Sequence, residues 1–331
     1  MFRLTQKFPA LAIAMASVLA LPAAQAQDFP NRTVRIVTTF TAGGAADATA
    51  RIFAEKLSTL WKQPVIVDNR IGGGGSIGAD AASRAPADGY TLLLATNTHV
   101  INHVLLKNLA FDYTKDFAPL GLVTSTATML AVTPAIKASN LKEVTEMLKA
   151  SPGKYQYSAC NMASPQHFSM EMYKHALNLD AQNIPYRGCA PAVTDALGGQ
   201  INIVMASVTA MSAFVKQGSL KPIAVMSSKR SPTLPDVPTA RESGIPELRN
   251  FALDNYYGFM APRSTPPAVL KKIEADIMAV AKTFSEPEMK TRLETAGLEP
   301  FVMNSADMIK LIRSDAEKLA TVAKQANIQA E

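Results

Sequence analysis

VRIVTTFTAGGAADATARIFAEKLSTLW, residues 34–61, is the stretch on which the fold turns. Val34–Phe40 runs through Val, Ile, Thr and Phe without polar alternation, which predicts a strand covered on both faces. Ala45–Trp61 sets Ile52, Phe53, Leu57 and Leu60 at helical spacing and predicts a helix with one apolar face. The turn between them, Thr41-Ala42-Gly43-Gly44, has two glycines that let the backbone come close to a ligand. The helix that follows aims the positive end of its dipole there, and Asp47 can cap or position the turn. A plain strand-to-helix connection explains the same residues equally well.

The pattern recurs along the chain. Pro64–Asn69 and Thr91–Thr96 read as strands, flanked by the Gly72–Gly75 run and an Ala-rich helix. Farther on, helices are expected over Leu141–Ala150 and Pro165–Leu179, and from Ala190 and Val208. They alternate with strands at Tyr155–Cys160, Ile184–Tyr186, Ile201–Ala206 and Leu220–Met226. Residues 228–250, rich in Pro and charge, read as a long surface excursion. A strand at Phe251–Met260 and helices at Pro266–Thr283, Glu286–Ala296 and Ser305–Ala326 complete the reading. Alternating strands and helices of this kind make an α/β fold, and its length implies two lobes with a cleft between them.

Residues 1–26 carry Arg3 and Lys7, an apolar Pro9–Leu21 segment and Ala24-Gln25-Ala26, the pattern of an export signal cleaved after Ala26. Its apolar segment is shorter than the roughly 20 residues of a spanning helix. Removing it leaves 305 of the 331 residues and lowers the formal charge from +6 to about +4. The mild charge, with no basic cluster, excludes nucleic-acid binding. No later apolar run reaches spanning length, so a membrane-embedded domain is excluded as well. Cys160 and Cys189 form an even pair in a chain expected to be exported, which reads first as a disulfide. Closing that loop is worth about 3–4 kcal/mol in the chain-entropy account. A free nucleophile or a metal pair are the alternatives, and neither has support in the neighbouring residues.

Several segments together resemble one family, the Bug receptors of tripartite tricarboxylate transporters. They are FTAGGAAD (Phe40–Asp47), QPVIVDNRIGGGGSIGAD (Gln63–Asp80) and APADGYTLLLATNTHVIN (Ala85–Asn102), then KDFAPLGLV (Lys115–Val123) and SPGKYQYSACNMASPQH (Ser151–His167). PYRGCAPAVTDALGGQ (Pro185–Gln200), SSKRSPTLPDVPTARESGIP (Ser227–Pro246) and YGFMAPRSTP (Tyr257–Pro266) follow in the same order. The resemblance covers nearly all of the chain after residue 26. It implies a type II-like periplasmic-binding-protein fold in which each lobe is a mainly parallel sheet with flanking helices. Lobe one would comprise 27–122 and 251–331, and lobe two 123–250. It implies a periplasmic monomer with neither catalysis nor cofactor, which holds a small organic carboxylate and passes it to an integral-membrane permease.

The family's binding positions carry over residue by residue. Phe40, Thr41, Ala42, Gly43 and Gly44 correspond to the first loop, with Asp47 after it, and Thr96, Asn97, Thr98 and His99 to a polar loop after the third strand. In lobe two, Asn161, Ser164, Pro165 and Gln166 match a second loop, and Tyr186, Arg187, Gly188 and Ala190 a third. Ser207 and Tyr256 complete the set. Arg187 is read equally as a bidentate carboxylate partner or a solvated charge. Three positions depart from the family: Thr39 stands where Pro is common, Ala206 where many relatives have Asp, and Tyr256 where Trp is common. Losing the Asp argues for a ligand without an amino group, an aliphatic or aromatic mono- or dicarboxylate, since a buried ammonium needs a partner. In the same alignment Cys160 and Cys189 fall on neighbouring loops, where a disulfide would stiffen one wall of the cleft.

Other patterns carry less. Gly73–Gly78 satisfies the dinucleotide pattern GxGxxG, but no acidic residue ends the next strand. Gly74–Gly78 satisfies GxSxG around Ser76, yet a glycine run intervenes between strand and serine. His99 and His103 have the spacing of a helical zinc pair without a third ligand. The alternatives to a transport receptor are a sensory receptor for the same ligand and, more remotely, a hydrolase using Ser76.

Overall fold

The computed structural model describes residues 29–106, 109–161, 164–325 and 328. The export signal and its cleavage point lie outside these residues. The first run of elements is β1 (Val34–Thr38), α1 (Ala45–Trp61), β2 (Val65–Asn69), α2 (Ser76–Ser83), β3 (Thr91–Thr96), α3 (Asn97–Leu105) and β4 (Phe117–Thr126). The second is β5 (Thr128–Val132), α4 (Leu141–Ala150), β6 (Gln156–Ala159), α5 (Pro165–Leu177), β7 (Gln182–Ile184), α6 (Cys189–Leu197), β8 (Ile203–Ser207), α7 (Val208–Lys216) and β9 (Lys221–Val225). The chain returns through β10 (Asn255–Pro262), α8 (Pro267–Lys282), α9 (Pro287–Thr295), β11 (Glu299–Met303) and α10 (Ser305–Gln325).

These strands make two sheets, a six-stranded one in the order β11-β4-β10-β3-β1-β2 and a five-stranded one in the order β7-β6-β8-β5-β9. The chain passes between them twice, at Ala127 and through residues 226–254. Both sheets are mixed rather than mainly parallel. β1 pairs in parallel with β2 and β3, but the returning β10 runs antiparallel to β3 and β4. In the second sheet β5 enters antiparallel to β8 and β9. A strand that crosses directly from one sheet to the other has no crossover helix to turn it parallel.

Period-two alternation explains why β3 is apolar throughout. Leu92 and Leu94 face a core shared with α1 and α8, while Leu93 and Ala95 face one shared with α2, α3 and α10. Helices cover the second sheet in the same way, α4 and α5 on one face and α6 and α7 on the other. Helix α1 buries Phe53, Leu57 and Trp61, one turn apart, whereas Leu60 is exposed. The Trp61 Nε1 donates to Asp276 Oδ2 of α8 at 2.6 Å, so the buried stripe turns toward α8 and away from Leu60.

Three strands were not anticipated. β4 and β5 run together as one nearly continuous buried stretch divided only at Ala127, and β11 is a short edge strand of alternating burial. The 228–250 excursion is more anchored than its composition indicates: Leu234, Val237 and Leu248 are buried. Arg230 is salt-bridged to Glu242 at 2.9 Å.

Candidate functional site

The carboxyl ends of β1, β3, β6 and β8 meet across the gap between the sheets, where open α/β sheets bind ligands. The amino end of antiparallel β10 joins them, with Tyr257 paired to Thr96. A cavity of about 40 Å³ lies there. Phe40, Thr41, Gly44, Thr96 and Thr98 line it from the first sheet, and Pro165, Gln166 and Ser207 from the second. Cys160 and Cys189, joined as a disulfide, form part of the same wall. Ala45, Ala46, Asn255 and Tyr257 also line it and were not anticipated.

Five helices begin at this cavity. Three carry their own caps: Thr96 Oγ1 accepts from Thr98 N at 3.1 Å, Ser164 Oγ from His167 N at 3.1 Å, and Ser207 Oγ from Ala210 N at 3.3 Å. Helices α1 and α6 start instead at Gly44 and Gly188, with no side-chain cap. Their first-turn N–H groups are therefore left to water or a ligand, and the dipole of each favours an anion. In α6 the donors narrow to Cys189 and Ala190, because Pro191 has no N–H. One uncapped start belongs to each sheet, so an anion in the cavity is approached from both sides.

The hydroxyls are arranged to donate. Thr96 and Ser207 spend an oxygen lone pair on a backbone N–H and keep the O–H proton. The Tyr257 hydroxyl accepts from Asn255 Nδ2 at 2.6 Å and likewise keeps its proton. Burial pushes the Tyr257 phenol well above its ordinary pKa, so it stays neutral and donating. Among the described residues, no Lys, Arg, His, Asp or Glu lines the cavity.

The remaining candidates stand behind this lining. Asp47 is buried beside the first turn, accepting from Gly43 N at 3.1 Å, Arg51 Nε at 2.8 Å and Asn69 Nδ2 at 3.0 Å. Burial pushes its carboxyl up, but the bonds from Arg51, Asn69 and Gly43 outweigh that and hold it below the usual carboxylate range. It braces the turn at Gly43 rather than lining the cavity, and Ala42 beside it is exposed. Asn97 and His99 lie in the first turn of α3, not in a loop, and both are buried. Asn97 Nδ2 donates to the Asp254 carbonyl at 2.9 Å. His99 Nδ1 accepts from Thr96 N at 3.2 Å, which places the ring proton on Nε2, 3.3 Å from Thr39 Oγ1. Both ring nitrogens are therefore occupied, and neither is left to activate Ser76 at the start of α2.

In the second lobe the Asn161 Oδ1 is buried with no partner among the described residues, and the Tyr186 hydroxyl turns away to Asp195 Oδ2 at 2.7 Å. Arg187 and Ala190 are exposed. Gly188 is buried with φ at 145°, and a Cβ there would collide with Thr41 of the other lobe. Tyr256 points to the opposite face of β10, stacked at 6.2 Å on Phe301. Strand alternation gives the cavity face to Asn255 and Tyr257. Sequence alone offered three adjacent polar or aromatic residues there and no sign of which face each takes.

The family model described as "Tripartite tricarboxylate transporter family receptor" matches residues 49–328. The chain belongs to this family of receptors. It is 32% identical to protein BugT of Bordetella pertussis over 247 residues, 74% of this chain and 75% of that one. Among solved structures, R. palustris Rpa4515 with adipate superposes with a TM-score of 0.86 at 28% identity, covering 91% of this receptor and 99% of the other chain. MatC from Rhodopseudomonas palustris with bound malate gives 0.80 at 26% identity, covering 89% and 99%. The receptor thus has the two-lobe fold of periplasmic binding proteins, and its relatives are binding proteins rather than enzymes. Among the described residues, no helix is long and apolar enough to cross a membrane.

Proposed function

We propose that this receptor, exported by cleavage after Ala26, captures a small carboxylate without an amino group in the periplasm and delivers it to a tripartite tricarboxylate-type permease. One observation carries the reading: two uncapped helix starts, one from each lobe, face a cavity lined by neutral donors. Neutral hydroxyl and amide groups hold an anion without burying a second charge, and that keeps release as accessible as capture. Among the described residues, no carboxylate lines the cavity to partner an ammonium. The adipate and malate held by two relatives fit this chemistry. The two sheets with their helices act as the lobes, the first boundary falling at Ala127 rather than at the expected 122/123 because β4 stays in the first sheet to Thr126, and closure of one lobe on the other presents the permease with a new surface. Ala42, Gly43, Asp47, Asn97, His99, Asn161, Ser164 and Gly188 serve as supports for the lining, not as its contacts.

A thermal-shift screen of residues 27–331 against mono-, di- and tricarboxylates and amino acids tests this. Stabilisation by amine-free carboxylates is expected, whereas stabilisation by amino acids alone would reject it.

A further inference from the structure

We propose that the Cys160–Cys189 disulfide is a specificity-determining part of the cavity, selecting a carboxylate whose carbon chain is unsubstituted where it meets the two sulfurs. The inference rests on the carboxylate reading above. Both cysteines line the cavity, Cys160 almost fully buried and Cys189 partly so. β6 and β7 are adjacent and parallel, so the connections leaving their carboxyl ends are neighbours. Cys160 directly follows β6, and Cys189 is the first residue of α6. The bond therefore ties the approach to α5 to the uncapped start of α6.

Two consequences follow. The α6 start has only Gly188 before it and no side-chain cap, so the bond to Cys160 is what fixes its two free N–H donors in place. Donors already held in their bound geometry cost less ordering when the ligand arrives. The sulfurs are also weak hydrogen-bond partners. Pro165 on the same side and Phe40, Ala45 and Ala46 on the facing side add further apolar surface to the cavity. A methylene chain packs there favourably, while a hydroxyl would be desolvated without a good partner.

Calorimetric titration of residues 27–331 with adipate and with malate is the test, on wild type, C160S/C189S and C160A/C189A, with the disulfide of wild type checked by mass. Wild type is expected to bind adipate about tenfold tighter than malate or more. C160A/C189A should weaken both anions but keep the preference, since its wall stays apolar and only the tether is gone. C160S/C189S should lose most of the preference, because its hydroxyls can partner the malate hydroxyl. Equal adipate-to-malate ratios in all three proteins, with binding retained, would overturn this proposal alone. No binding of either anion by wild type would overturn both it and the carboxylate reading. Circular dichroism checks that the variants fold. If they do not, wild type reduced with dithiothreitol replaces them: weakened adipate binding supports the tether, and unchanged affinity overturns it.

Discussion

His99 joins the stability of the fold to the solution pH. Burial lowers its pKa from 6.5 to about 4, so the ring is neutral in the folded protein. Between pH 6.5 and 4 the unfolded chain therefore binds more protons than the folded one. Stability is complete above about pH 6.5, falls by about 2–3 kcal/mol as pH drops to about 4, and levels off below. His99→Gln cannot titrate and should flatten that part of the slope in urea unfolding at pH 7 and pH 5. An unchanged slope would show that His99 does not titrate as described. A second residue-scale prediction separates the faces of β10. Tyr257→Phe removes a hydroxyl donor to a charged ligand and should weaken binding about tenfold. Tyr256→Phe, on the other face, should leave the affinity within about twofold. Titration calorimetry with the same carboxylate distinguishes the two.

At the scale of elements, helix α1 is both a wall of the cavity and a packing unit. Its start faces the cavity, and its end is fastened to α8 by the Trp61–Asp276 bond. Trp61→Phe should cost about 1–2 kcal/mol in urea unfolding, and an unchanged midpoint would show that the bond adds nothing. The residues 34–61 that predict this helix also predict its limits, because Gly43-Gly44 and Trp61 mark its start and the end of its apolar face. The β3 strand and the α4 helix were legible for the same reason, since their patterns are local. β4 and β5 were not. FAPLGLVTSTATMLAV, residues 117–132, passes from one sheet to the other at Ala127 without a turn residue, and only the tertiary structure divides it. The loop-like reading of Thr96–His99 failed because the Thr96 side chain caps a helix whose first turn is polar. The disulfide was legible from the number of cysteines and the expected compartment. Its place in the cavity wall depends on β6 and β7 being neighbours, which no single-sequence pattern states.

The whole molecule is held at two crossings, and the lobes touch on the cleft side. Gly188 of one lobe rests on Thr41 of the other, while Thr126 and Thr209 share the Gly297 carbonyl at 2.8 and 3.2 Å. Gly188→Ala would set a methyl group against Thr41 and strain a backbone at φ 145°. It should keep the lobes apart and weaken ligand binding tenfold or more. Small-angle scattering should then show the contraction on ligand addition in wild type but not in the variant; equal contraction would show that this contact does not limit closure.

The central claim is that neutral donors from both lobes hold an amine-free carboxylate and release it unaltered. Calorimetry of the mature receptor with matched pairs, succinate against aspartate and glutarate against glutamate, tests it most directly. Heat with succinate or glutarate, none with their amino counterparts, and recovery of the intact anion is the predicted result. Tighter binding of the amino members, or chemical conversion of the anion, would contradict it.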